Sequence, residues 1–285
     1  KRVRICDIAE ELGLSTATVS NVIHGKTNKV SDETVRRVMA LLEQRQYIPS
    51  MAGILLARNS SGIIGVFVHD HEKYEGHTLE DFFIASSLKC LSAEIEASGQ
   101  FMMVKKAKSA GEIIQFASMW NMDGIVVIGF CEQDYTYLRS HMRIPFVVYD
   151  GCGGQPERIL NITIDNFDGG QQMGRHLREL GHETALCISD NAACVDLERF
   201  RGFCKGFAPG RAELLVIPMQ KKQRHAFYRE QLGRFRQVTA VFAVSDHYAI
   251  DLMHVLEEQG VSVPEDLSIA GFDDTPVCEL VHPAL

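Results

Sequence analysis

Thr16, Ala17, Ser20, Asn21 and His24 fall on one face of a short amphipathic segment, opposite Val19, Val22 and Ile23. Small and hydrogen-bonding groups near the start of a helix suit contact with base edges in a DNA major groove. Periodicity alone leaves a second account open, an ordinary helical bundle with a polar outer face. Between His69 and Asp81, the side chains of His69, His71, His77, Asp70 and Glu75 offer the imidazoles and carboxylates that bind transition metals. The reading adopted for that run is the plainer one, a polar loop that shapes a pocket, with no metal. No Gly-x-Ser-x-Gly elbow, Walker loop or Gly-x-Gly-x-x-Gly after a strand occurs, and Gly151-Cys152-Gly153-Gly154 reads as a loop. The chain is therefore expected not to be an enzyme and to need no cofactor.

Three short helices must carry the first of these faces. Ile5, Ile8, Ala9 and Leu12 give an amphipathic stripe that Gly13 ends. Ser15 caps the second helix, with Leu14 and Val19 as a hydrophobic staple. The device recurs at Ser31, with Val30 and Val35 as the staple, Asp32 and Glu33 favouring the helix dipole, and Val35, Val38, Met39 and Leu42 expected to pack inward. After Pro49, Ser50 can cap a short apolar helix that would be marginal alone and leads into a Ser-rich link.

From Gly62 the pattern changes. Apolar runs at 63–68, 125–128, 146–149, 185–188, 240–244 and 267–270 have the character of strands buried in a parallel sheet. Helical stretches alternate with them at 82–98, 109–120, 132–141, 167–180, 197–207, 224–236 and 246–259. Two such sheets in succession, meeting near 159–165, predict two lobes with a ligand cleft at the C-terminal ends of their strands.

Composition sets few obstacles. At 285 residues the chain can bury two or more domains, and no apolar run is long enough to span a bilayer. The opening Lys1-Arg2-Val3-Arg4 is unlike a secretory signal, so a cytoplasmic protein with no membrane partner is expected. A net charge of −8 conceals an asymmetry: residues 1–60 hold nine Lys and Arg against six Asp and Glu, or +3, which leaves −11 for the remainder. The acidic total thus does not argue against a DNA-binding head. Eight cysteines with no Cys-x-x-Cys pair are expected to be reduced and mostly buried.

The run from Ile5 to Lys26, followed by Val30-Ser31 and Tyr47-Ile48-Pro49, closely resembles the head of the lactose repressor (LacI/GalR) family. The resemblance continues in pieces to the end of the chain, through Ile64-Gly65-Val66, Asp123-Gly124-Ile125, Asp165-Asn166, Arg199-x-x-Gly202-Phe203, Ser245-Asp246 and Gly271-Phe272-Asp273-Asp274. It implies an all-α helix-turn-helix head over residues 1–48, a hinge helix and linker over 49–61, and an α/β sensor of the periplasmic-binding-protein type (type I). The sensor's two parallel-sheet lobes would span residues 62–160 and 161–285. By the same resemblance Thr16, Ala17 and Asn21 read bases, Ser15, Thr18 and Ser20 touch phosphates, and Leu56 wedges into the minor groove. Gly53 and Ile54 depart from the family pattern, which implies a weaker hinge helix.

In the sensor, the resemblance makes Arg199 the effector-binding arginine, Asp273 and Asp150 cleft carboxylates, and Ser245 the replacement of the family's usual asparagine. Side-chain chemistry agrees: Arg199 offers a planar fork of donors, Asp150 and Asp273 can accept from hydroxyls, and Phe82, Phe83 and Phe272 could stack on a ring. The loop from Val68 to Asp81 is longer than the family's, and Lys105-Lys106, following a second strand, leaves room for a phosphate or carboxylate on the effector. The function implied is a transcriptional regulator, a repressor, that binds a near-palindromic double-stranded operator as a homodimer and answers to a small carbohydrate-like effector. Two alternatives stay open: the same DNA-binding role signalled by a protein partner, and a solute-binding receptor without gene control. The family would continue past Leu285 with a further strand, so the chain is expected to be a shortened version.

Overall fold

The computed structural model describes residues 3–48, 60–151 and 159–285. The chain separates between Ser61 and Gly62 into two compact units. Leu56, Gly53, Ile54 and Cys152 lie outside the described residues, so the readings made for them above have no structural counterpart here.

In the first unit, α1 spans Ile5–Leu12, α2 Thr16–Ile23 and α3 Asp32–Gln44. Gly13 closes α1 at φ 69°, a left-handed cap that costs a glycine little. Ser15 Oγ accepts from the Thr18 amide at 3.1 Å, and Ser31 Oγ from the Thr34 amide at 3.3 Å, so each serine satisfies a first-turn donor. Ile8, Ala9, Val19, Val22, Val38 and Leu41 form the core, with both staple pairs packed against it. One expectation needs correction: Met39 is 53% exposed, whereas Leu41 is buried. The inward face of α3 runs through 35, 38, 41 and 42, and position 39 lies about 100° beyond 38, outside that stripe.

The second unit holds two parallel sheets. In the first lobe β1 (Ile63–His69), β2 (Phe101–Ala107), β3 (Gly124–Ile128), β4 (Phe146–Tyr149) and β5 (Leu160–Ile162) lie in the order β2-β1-β3-β4-β5. Three helices intervene, α4 (Phe82–Ala97), α5 (Ala110–Met119) and α6 (Glu132–His141). The second lobe orders β6 (Thr184–Ser189), β7 (Arg211–Val216), β8 (Ala240–Ala243) and β9 (Ser268–Ala270) as β7-β6-β8-β9. Its helices are α7 (Asn166–Glu179), α8 (Cys194–Phe207), α9 (Lys221–Glu230), the short α10 (Leu232–Phe235) and α11 (Asp246–Glu258). Every strand pairing is parallel. The central strands are buried on both faces, which is why they read as unbroken apolar runs.

Each sheet buries helices against it, with separate cores around Phe67, Ile113 and Val127 in one lobe and Phe203, Phe242 and Leu252 in the other. Helices α7 and α8 approach unusually closely. A Cβ built at Gly202 would stand 1.9 Å from the Phe167 carbonyl oxygen, and one at Gly170 2.0 Å from that of Arg199. Only glycine permits such backbone-to-backbone contact, and it fixes Arg199 one turn before Gly202 against the start of α7.

The cysteines differ from expectation. Cys194 is disulfide-bonded, and Cys6, Cys90 and Cys131 are exposed, so burial and a reduced thiol hold together only at some positions, Cys187 and Cys278 among them. Spacing along the chain cannot reveal a bridge between residues that the fold brings together.

Candidate functional site

The C-terminal ends of the strands in both lobes converge on one cavity of about 770 Å³. Val68 and His69 end β1, Ile128 ends β3, Asp150 follows β4, Asp190 follows β6, and Val244 and Ser245 follow β8, all on its wall. This is the crevice where open parallel sheets take ligands, and its size suits a small molecule.

Arg199, Asp273, Asp150, Ser245, Phe82 and Phe83 all line it. Arg199 is buried in α8 and donates from Nε to Asn166 Oδ1 at 2.8 Å and from Nη1 to the Val244 carbonyl at 2.5 Å. Nη1 also lies 3.6 Å from Asp273 Oδ1, and Nη2 has no protein acceptor among the described residues. Phe272 is the exception to the expected set: it is not on the cavity wall but lies beneath the guanidinium, 3.7 Å from Arg199 Cζ to its ring centroid. It therefore stacks on the arginine instead of on a ligand. Phe83 also stacks on Tyr149, while Phe82 is 49% exposed.

Backbone strain concentrates here. Glu75, Asp150, Cys194 and Asp273 line the cavity and are four of the seven non-glycine residues with positive φ among the described residues. Such conformations persist where surrounding structure enforces them, often at binding sites.

Burial pushes the Asp273 carboxyl up to about 7, helped by the charges of Asp246, Asp150 and Asp81 and opposed by Arg199. Burial and the neighbouring Asp190 likewise raise Asp196. Asp190 is buried too, yet Lys73 and hydrogen bonds from Tyr248 and Asn191 hold it below the usual carboxylate range.

Because folded protein holds the Asp273 proton more tightly than the unfolded chain does, the stability it contributes is full below about pH 4. That stability is lost as pH rises through about 7. Asp273→Asn is expected to remove this part of the pH dependence, read as the change in Tm between about pH 5 and about pH 8 in each protein. The comparison of variant with wild type is needed because burial lowers His71 and His247, whose contributions run the opposite way, present above about pH 6.5 and lost on acidification. Identical pH slopes in the two proteins would show that Asp273 titrates normally.

The long loop after β1 forms two turns of 3-10 helix, Glu72–Tyr74 and Thr78–Glu80. His69 and His71 pack edge to face, 5.3 Å between ring centroids, while His77 is engaged elsewhere. His71 Nδ1 accepts from the Lys73 amide at 3.3 Å, His77 lies 3.0 Å from Glu80, and the His69 ring packs 4.8 Å from that of Phe130. No group of three His, Cys, Asp or Glu among the described residues is placed to hold a metal. His69, His71, Lys73, Tyr74 and Glu75 instead line the cavity, and Glu75 Oε1 accepts from the Lys221 amide at 3.3 Å across it. Lys105 and Lys106 lie inside β2 and off the wall: Lys106 Nζ is 3.0 Å from Asp70, and Lys105 sits over the Phe116 ring.

Sequence reasoning missed Lys73, Asp190, Asp196 and Tyr248 on the wall. Asp190 was within reach, since it ends a strand run just as Asp150 does.

In the first unit Thr16, Ala17 and Asn21 are exposed on the outer face of α2, Ser20 and Thr18 half-buried beside them. Ser15 is exposed, and besides its cap its Oγ lies 2.9 Å from Thr18 Oγ1. Lys26 and Lys29 follow α2, exposed and without an ion pair among the described residues.

Residues 4–50 match the family profile described as bacterial regulatory proteins, lacI family, and residues 175–285 match the periplasmic binding protein-like domain. The HTH-type transcriptional repressor PurR of Vibrio atlanticus (strain LGP32) is 26% identical over 295 residues, covering 99% of this chain and 85% of its own. Among solved structures, the lac repressor dimer bound to operator and the anti-inducer ONPF superposes with a TM-score of 0.82 at 22% identity, over 100% of this chain and 86% of that one. A LacI family transcriptional regulator from Enterococcus faecium with bound ribose gives a TM-score of 0.67 at 24% identity, over 78% and 82%.

A helix-turn-helix unit joined to a two-lobed, effector-binding α/β domain defines a DNA-binding transcriptional regulator. Its head matches the lacI family of bacterial regulatory proteins, and the likeness to PurR repressors of that kind runs along 99% of the chain. No helix among the described residues is long and apolar enough to cross a membrane.

Proposed function

We propose that this regulator is a repressor that binds a near-palindromic operator as a homodimer and is switched by a small hydroxyl-bearing effector held between its lobes. The observation that carries the effector reading is the convergence of Arg199, Asp273, Asp150, Ser245, Phe82 and Phe83 on one cavity. A planar donor fork, carboxylate acceptors and aromatic faces suit a polyhydroxylated ring. Effector binding would change the balance between lobe arrangements, and with it the affinity for DNA, by its difference in affinity for the two states.

On the DNA side, the exposure of Thr16, Ala17 and Asn21 on one face of α2 supports the reading that they contact bases, with Ser15, Thr18 and Ser20 contacting phosphates. Two heads related by a two-fold axis explain palindromy in the operator. Asn21→Ala is expected to cost about 1–3 kcal/mol of discrimination at one base pair per half-site while leaving the salt dependence of binding in place. Lys26→Ala should instead weaken all sequences alike and lower the salt slope by about one. Leu56→Ala, at the minor-groove position, should weaken specific binding more than non-specific binding. Operator titrations at several salt concentrations check all three, and equal losses on operator and random DNA for Asn21→Ala would remove it from base reading.

The effector is sought by thermal-shift measurement of the whole chain against sugars, polyols and nucleosides, followed by operator titration with any hit. A ligand at about 100 times its Kd adds roughly 2.7 kcal/mol of stability. A hit that leaves DNA affinity unchanged would speak for a receptor without gene control.

A further inference from the structure

The charge of the cavity narrows what it can hold. Ten Asp and Glu side chains line it against three Lys and Arg. The three cations are already compensated by the wall itself. Arg199 faces Asp273 at 3.6 Å, and Lys221 Nζ lies 3.7 Å from Asp251. Burial opposes the charge on Lys73, but Tyr74, Asp190 and Asp196 hold its ammonium protonated above the usual lysine range. Asp190 and Asp196 are the carboxylates among these causes, so Lys73 is matched by negative charge of the wall and is not spare for an anionic guest.

Asp273 stands within that surplus. Asp81 and Asp150 from the first lobe and Asp246 from the second act on it, with Arg199 as the opposing cation. Two of the four are occupied: Asp81 Oδ1 accepts from the Ile84 amide at 3.1 Å, and Asp246 Oδ2 from the Thr275 amide and hydroxyl at 2.8 and 2.9 Å. Asp150 has a long contact from the Thr163 hydroxyl at 3.4 Å, and Asp273 has the arginine at 3.6 Å. These two carboxylates, from opposite lobes, keep acceptor capacity for a guest. Tyr74, Phe82 and Phe83 add aromatic rings to the same wall, and ring faces attract cations.

We propose that the effector is an organic cation, a small hydroxyl-bearing molecule whose protonated amine sits between Asp150 and Asp273. This rests on the effector reading above and names its chemical class. An ammonium donates up to three hydrogen bonds and meets carboxylates on both sides of the cavity, so it draws the lobes together. A phosphate or carboxylate on the guest would meet the same surplus as repulsion. The expectation that Lys105 and Lys106 favour an anionic effector fails because neither side chain reaches the wall.

The test uses matched ligands on the whole chain by titration calorimetry: glucose, glucosamine and glucose 6-phosphate, the same three forms of galactose, and putrescine as a cation without hydroxyls. Below the amine's own pKa, an aminated sugar is expected to bind at least tenfold more tightly than its neutral form, and the phosphorylated form more weakly than either. The Asp150→Asn and Asp273→Asn double variant should lose that preference while still binding operator DNA. Two results overturn the proposal and leave the effector reading standing: a neutral or phosphorylated sugar binding as tightly as its amine, or the preference surviving in the double variant. Absence of binding by every ligand, in protein that still binds operator, overturns the small-molecule reading and this proposal with it.

Discussion

A single methyl group at Gly202 is expected to cost the second lobe about 3 kcal/mol or more. The new Cβ would stand 1.9 Å from the Phe167 carbonyl oxygen, 2.8 Å from its carbon and 2.9 Å from the Gln171 amide. All three are backbone atoms of one helix, so no side-chain rotation relieves the clash and α7 and α8 must separate. Gly206→Ala should act in the same direction, since its Cβ would lie 2.0 Å from the Gln171 carbonyl oxygen. Gly233, in α10, has nothing within 4 Å of its Cβ position, and Gly233→Ala is expected to be neutral or slightly stabilising. With total stabilities of about 5–15 kcal/mol the loss at Gly202 is a large fraction. Urea denaturation followed by circular dichroism measures it, and a midpoint for Gly202→Ala equal to that of wild type would show that the helices do not touch as described.

The second large effect is on signalling. Arg199→Ala is expected to weaken effector binding by between about thirtyfold and a few thousandfold, equivalent to the 2–5 kcal/mol seen when one partner of a buried, hydrogen-bonded charge pair is truncated. Asn166 Oδ1 and the Val244 carbonyl would lose their donor, and Asp273 its counter-charge. Arg199→Lys keeps the charge but not the planar fork that stacks on Phe272, so an intermediate loss is expected. Operator titration with and without effector reads the result, with DNA affinity in its absence as the check on folding. An undiminished response would take Arg199 out of the effector site.

Most of the fold could be read from local pattern because its central strands are buried on both faces. β1, β3, β6 and β8 stand out as apolar runs for that reason, while the half-buried β4 and the edge strand β9 are apolar runs as well. β5 and β7 lie at sheet edges with alternating or open exposure, and neither gives such a run. β2, also at an edge, carries Lys105 and Lys106 within it, which is why they seemed to follow a strand. The predicted helix over 224–236 is two, with α9 beginning at Lys221 and a break at Gln231. The face of α2 was legible because its period is local, but Met39 and Leu41 exchanged roles through the packing of three helices on one small core. For the site, residues at strand ends could be nominated from sequence, and Arg199 through family resemblance. What could not be read was which nominees share a wall: Phe272 turned beneath Arg199, whereas Lys73 and Tyr248, distant in sequence, came together near Asp190.

The contact between Glu75 and the Lys221 amide bears on time as well as affinity. It joins the loop after β1 to the first turn of α9, one in each lobe, so parting the lobes must break it. A bond broken on the way to release but regained on closure lengthens the residence of a bound guest more than it alters the speed of capture. A regulator built this way would keep its setting through brief dips in effector concentration, and the length of that memory would be tuned by one carboxylate on the cavity wall.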